Sequence, residues 1–135
     1  MLQKITLIGN LGGDPELRYT TSGQSVCNFS VATSRKWTGG DGQAHEETVW
    51  WRANVWGKMG EACNTYLAKG RQVYIEGRVV VDAATGGPRI WFTQDGQARA
   101  SFEITAFEVK FLGSRGDSAP REAGPPPMTE DEIPF

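Results

Sequence analysis

Trp50 and Trp56 stand at even positions of the run Thr48 to Trp56 with Arg52 and Asn54 between them, while Val49, Ala53 and Val55 take the odd, apolar side. In an extended strand with a two-residue side-chain period, this turns two indoles, a cation and an amide away from the core. Ring and cation are neighbours twice more: Trp37 follows Arg35-Lys36, and Trp91 follows Arg89. An exposed indole beside a cation suits single-stranded nucleic acid. The ring stacks on an unpaired base for roughly 1–3 kcal/mol, and the cation neutralises a phosphate and releases its counterion. Every base has a flat face, so such a site binds strongly and discriminates poorly among sequences. Trp51 has the opposite parity, which assigns it to the core or to a subunit contact and leaves it out of the site.

Catalytic chemistry finds no constellation. His45 is the only histidine and lies in a polar stretch without a nucleophile or metal partner, and the carboxylates are scattered or gathered at the C-terminal end. Gly9-Asn10-Leu11-Gly12-Gly13 leads to a turn at Asp14-Pro15 and not to a helix, so it is no phosphate cradle. Cys27 and Cys63 lack zinc-ligand spacing and fall on apolar faces, where small buried thiols are expected. Neither an enzyme nor a cofactor or metal is expected.

Charge divides along the chain. Residues 1–112 carry 12 Lys and Arg against 11 Asp and Glu, and residues 113–135 carry 2 against 5, so a +1 body precedes a −3 tail. A nearly neutral body cannot coat a polyanion indiscriminately, and a nucleic-acid site must come from local clustering. The segment 113–129 contains Gly124-Pro125-Pro126-Pro127 and almost nothing apolar, so it is expected to be a disordered linker. It carries the tip Glu130-Asp131-Glu132-Ile133-Pro134-Phe135. Three acids followed by two large apolar residues read as a handle for other proteins, with Pro134 holding Ile133 extended and so lowering the entropy lost on docking.

The elements that position these residues are strands. Lys4 to Leu11, Ser25 to Thr33, Thr48 to Trp56, Arg71 to Val81 and Ser101 to Phe111 alternate or run apolar with β-branched and aromatic residues. Cys27, Phe29 and Val31 share one face; so do Val73, Ile75, Val79 and Val81, with Gly77 in register where a strand bends or is closely approached. Lys58 to Lys69 has the only helical spacing, through Met59, Ala62, Cys63, Tyr66 and Leu67, with Gly70 as the stop. Three strands, a short helix and two strands is the order of the five-stranded oligonucleotide/oligosaccharide-binding (OB-fold) barrel, an all-β Greek key. Gly-rich connections at Ser34 to Glu47, Asp82 to Pro88 and Gln94 to Ala98 fit ligand-wrapping arms. One domain over 1–112 accounts for the ordered chain. No basic-then-apolar leader follows Met1 and no apolar run approaches the ~18 residues of a membrane span, so a cytoplasmic protein is expected, without membrane attachment.

Leu7-Ile8-Gly9-Asn10-Leu11-Gly12 with Asp14-Pro15-Glu16 and Arg18-Tyr19, Val31-Ala32-Thr33-Ser34 before Trp37, the stretch Trp50 to Lys58, and Tyr66-Leu67 through Lys69-Gly70 to Val73-Tyr74-Ile75-Glu76-Gly77 occur in that order, and Ile133-Pro134-Phe135 closes the chain. In these residues the chain resembles the bacterial single-stranded DNA-binding proteins over nearly its whole length. The resemblance implies base stacking by Trp37, Trp50, Trp56 and Trp91, with Trp56 where a phenylalanine is common. It implies phosphate contacts by Arg18, Arg35, Lys36, Arg52, Lys58 and Lys69. It further implies a homotetramer that coats single-stranded DNA and recruits replication and repair proteins through the tip. The arm from Asp82 to Arg89 is longer than usual, the linker is short, and the tip reads Glu-Asp-Glu where aspartates are typical. Two other readings keep the barrel: an RNA-binding module, and a carbohydrate-binding one whose indoles stack on sugars.

Overall fold

A computed structural model describes residues 1–113. Strands β1 (Ile5–Leu11), β2 (Glu16–Tyr19), β3 (Ser25–Thr38) and β4 (Ala44–Trp56) precede helix α1 (Gly57–Tyr66). Strands β5 (Gln72–Val79), β6 (Ile90–Phe92), β7 (Ala98–Ala100) and β8 (Phe102–Leu112) follow it. The sheet order β1-β5-β8-β4-β3, closed by pairing of Asn10 and Leu11 with Ala32 and Val31, makes the expected five-stranded barrel. The β4–β8 pairing is parallel and the others are antiparallel. The linker and the Glu130-to-Phe135 tip lie outside the described residues, apart from Gly113.

The core forms where the alternation places it. Leu7 and Leu11 of β1, Cys27, Phe29 and Val31 of β3, Ala53 and Val55 of β4, Val73 and Ile75 of β5, and Ile104 and Ala106 of β8 point into the barrel, and Cys63 and Leu67 seal one end. Burial of an Ile or Val side chain contributes about 1.5–3 kcal/mol, so this set dominates the fold's stability. Gly77 sits at an irregularity of the β5–β8 ladder, and an added Cβ would lie 2.3 Å from the Thr105 carbonyl oxygen, the close approach that the sequence suggests. Val79 and Val81 depart from expectation, being 39 % and 42 % exposed. The bulge at Glu76/Gly77 inserts Phe107 on β8 and leaves the parity of β5 intact; Val79 is the last residue of β5, and Val81 lies beyond it.

Other departures concern boundaries. The stretch Ser34 to Glu47, expected as a loop, is mostly paired strand: β3 and β4 run on as a hairpin arm to Thr38 and Ala44, turning through Gly42 at φ 80°. Both faces of this arm are exposed, so no apolar alternation marks it. Its cross-strand pairs are polar or aromatic as far as Trp37 and His45, with Ser34 and Thr48 hydroxyls 3.0 Å apart and Arg35 bonded to Glu47 at 2.8 Å. Short strands β2, β6 and β7 also escape the pattern, and the expected connection around Gln94 to Ala98 is the turn of the β6–β7 hairpin. Helix α1 stops at Tyr66 and not at Lys69, because Leu67 is extended while its N–H still donates to the Cys63 carbonyl.

Candidate nucleic-acid interface

Directly opposed residues in a ladder share a face, so the register shows which side chains meet. Arg18 of β2, Val26 of β3 and Trp56 of β4 form one row. Glu16, Asn28, Asn54 and Thr105 form the next, then Ser30, Arg52 and Glu103, then Ala32 and Trp50. The outer face of the barrel therefore carries indoles at two corners and polar or charged side chains between them. Trp50 and Trp56 are 56 % and 44 % exposed, and neither has a ring or cation partner among the described residues. Trp50 lies over the β1 end, where Gly12 gives it room: a Cβ there would be 2.4 Å from Trp50 Cζ3.

Two clefts meet at Arg52. One, of about 520 Å³, is lined by Asp14, Pro15, Glu16, Asn28, Phe29 and Ser30 together with Arg52. The other, of about 500 Å³, runs from Arg52 to Arg89, Ile90 and Trp91 of the later arm, with Ser101 and Glu103. Trp91 is half exposed on β6 and thus adjoins the same surface. Arg52 Nε stands 3.7 Å from Glu103 Oε2, and its terminal nitrogens have no hydrogen-bond partner among the described residues.

The remaining sequence-predicted residues separate into groups. Arg18 joins the surface through its row with Trp56, and its guanidinium bonds Glu16 at 2.9 Å. Lys58 opens α1 two residues after Trp56, and Lys36 shares Trp50's parity farther out on the arm. The Lys69 N–H donates to Asp14 Oδ1 at 2.9 Å, which ties its loop to the rim of the first cleft. Trp37 and Arg35 do not share Trp50's parity. They follow Cys27, Phe29 and Val31 along β3, opposite His45 and Glu47. There the Trp37 ring stacks on His45 with centroids 5.3 Å apart, and the Arg35 guanidinium lies 4.3 Å from its centroid. A base reaching Trp37 must share or displace these partners. Trp51, excluded by parity, packs against the core and donates its Nε1–H to Thr33 Oγ1 at 2.9 Å.

Sequence reasoning missed Gly12, Asn28, Ser30 and Glu103 as parts of this surface, because each joins it only through cross-strand register. Arg89 was visible as the cation before Trp91.

A family model described as the single-strand binding protein family matches residues 2–112. The chain belongs to this family. Among its relatives, a single-stranded DNA-binding protein from Neisseria meningitidis serogroup A is 43 % identical over 91 % of this chain and 68 % of its own length. Another, from Xylella fastidiosa, is 36 % identical over 99 % of this chain and 98 % of its own. The solved structure of the Plasmodium falciparum family member in complex with single-stranded DNA superposes with a TM-score of 0.69 at 30 % identity, covering 83 % of this chain and 96 % of that one. The single-stranded DNA-binding protein from Thermus aquaticus, solved as a deletion mutant, gives 0.66 at 26 % identity, over 85 % and 52 %. Membership of the family accords with the resemblance read from the sequence and with the observed barrel.

Proposed function

We propose that this chain is a non-enzymatic protein that binds and protects single-stranded DNA with little sequence preference during replication, recombination and repair. The observation that carries the reading is the outer face of β2, β3 and β4. Trp50 and Trp56 stand there as exposed rings without a ring or cation partner among the described residues, with Arg52 and Asn54 between them on β4 and Arg18 in the row of Trp56. Family membership and the DNA-bound relative support it. Bases stack on the indoles while the arginines face phosphates, and the arms carrying Trp37 and Trp91 extend the path. Lys36, Lys58 and Lys69, none of them in an ion pair among the described residues, are its further phosphate contacts.

Quenching of tryptophan fluorescence by an oligothymidine at two salt concentrations tests this. The expected result is tight binding that weakens steeply with salt, and stronger competition from DNA than from RNA or a neutral oligosaccharide. Salt-independent binding of the sugar alone would overturn it.

One small barrel offers few stacking rings, and the reading extends to a homotetramer in which one strand crosses several subunits. A sedimentation mass of a single chain at micromolar concentration would exclude that assembly. The tip Glu130 to Phe135 recruits replication and repair proteins in the same proposal, its acids approaching a basic rim while Ile133 and Phe135 enter an apolar pocket.

A further inference from the structure

Glu103 is the only buried acidic side chain among the described residues, 9 % exposed at the start of β8. Its carboxylate is divided between two cations. Oε1 accepts from Arg89 Nε at 3.0 Å and from Arg89 Nη2, while Oε2 faces Arg52 Nε at 3.7 Å. Its backbone carbonyl also accepts the Val80 N–H at 2.9 Å. Val80 and Arg89 are the points where the chain leaves β5 and where it enters the β6–β7 hairpin carrying Trp91. One residue thus fastens the arm's root, the arm's own arginine and the central cation of the outer face.

Stability does not explain this arrangement. A buried carboxylate loses hydration, and a well-packed apolar side chain commonly does as well or better in its place. The partners recover little of that loss by burial, since the side chains of Arg52 and Arg89 are 53 % and 55 % exposed. What the carboxylate does accomplish is orientation. It engages Arg89 through Nε and Nη2 and Arg52 through Nε, leaving Arg89 Nη1 and both terminal nitrogens of Arg52 without a partner among the described residues. Both guanidinium groups line the cleft that Trp91 also lines.

We infer that Glu103 is a positioning residue for single-strand binding. It latches the β6–β7 arm to the barrel and sets Arg52 and Arg89 with their free donors towards the cleft, so that Trp91 stands beside them before a strand arrives. Fixing the arm in advance removes an ordering cost from binding. The inference rests on the single-strand reading of this face.

Glu103→Gln tests it, because the substitution keeps the shape and one acceptor while removing the charge. Electrostatics alone predicts tighter binding once a negative charge leaves the phosphate path. Positioning predicts the opposite: oligothymidine affinity falls roughly tenfold, the loss of about one stacked ring. In the DNA-free protein, amides of residues 89–101 should exchange several-fold faster, by more than any fall in the urea midpoint accounts for. In an Arg89→Ala background, Glu103→Gln should add little to the arm's exchange. Equal or tighter binding, or unchanged arm exchange, overturns the inference. Should Glu103→Gln fail to fold, Arg89→Ala alone must speed exchange in the arm, and the inference falls if it does not. If the wild-type protein fails to bind oligothymidine, the single-strand reading fails instead, and exchange in the free protein still decides whether Glu103 latches the arm.

Discussion

Trp50 owes its availability to a residue just past the end of β1. The ring is 56 % exposed and spreads over Gly12, whose missing side chain leaves the space it occupies. If Trp50 stacks on bases as proposed, Trp50→Ala removes that surface and little core, so single-strand affinity should fall by roughly 1–3 kcal/mol with an unchanged urea midpoint. A normal affinity with a lowered midpoint would mean that the ring is structural. Gly12→Ala reaches the same site from below. The new Cβ would meet the end of the Trp50 ring and, at 3.0 Å, Ser30 Oγ, side-chain atoms and not backbone, so the ring swings away at small cost to the fold. Oligothymidine titration should then show weakened binding with stability within about 1 kcal/mol of wild type.

At the scale of elements, close approaches between backbones fix the barrel. Gly77→Ala would drive a Cβ to 2.3 Å from the Thr105 carbonyl oxygen and 3.0 Å from Ala106 Cα, where β5 and β8 have no side chain to yield. Urea unfolding should show a loss of about 3 kcal/mol, at the upper end of ordinary overpacking. Packing of α1 across β3 sets the chemistry of the cysteines. Burial pushes the Cys27 thiol from 9.0 up to about 11, and burial together with the nearby Cys27 pushes Cys63 up to about 12. The unfolded chain releases these protons first, so the thiols' contribution to stability is complete below pH 9 and is lost as pH rises through 11 and 12. Alkylation by iodoacetamide at pH 8 should be slow in the native protein and rapid in urea; fast native labelling would contradict the packing.

For the whole molecule, the +1 body and the −3 tail have opposite relations to DNA. Coating and recruitment should therefore be separable. Deleting Asp131 to Phe135 removes charge that repels phosphate, so affinity for single strands should stay equal or rise slightly, while partner capture is lost. Phe135→Ala should account for most of that loss, since the acids alone supply attraction that salt screens within about 8–10 Å. Pull-downs from nuclease-treated bacterial lysate with intact and truncated chains check this. Identical sets of bound proteins would reduce the tail to a solubilising segment.

Much of the fold was legible because burial leaves a period in the sequence. Cys27, Phe29 and Val31 declared the core face of β3, and the alternation of Trp50, Arg52, Asn54 and Trp56 with Val49, Ala53 and Val55 declared the outward face of β4. Gly77 marked a close approach, and the spacing around Met59, Cys63 and Leu67 marked the helix. Where both faces of a ribbon are wet, no such contrast exists. The hairpin arm through Thr38 and Ala44 carries no strand signal for that reason, and only the pairing shows that Trp37 has the parity of the core side of β3. Rows such as Arg18, Val26 and Trp56, and the meeting of Glu103 with Arg52 and Arg89, depend on register between strands far apart in the chain. A residue's type and its neighbours determine which way it faces along its own strand; only the closed barrel decides what stands beside it, because that pairing is set by packing and hydrogen bonding across the sheet.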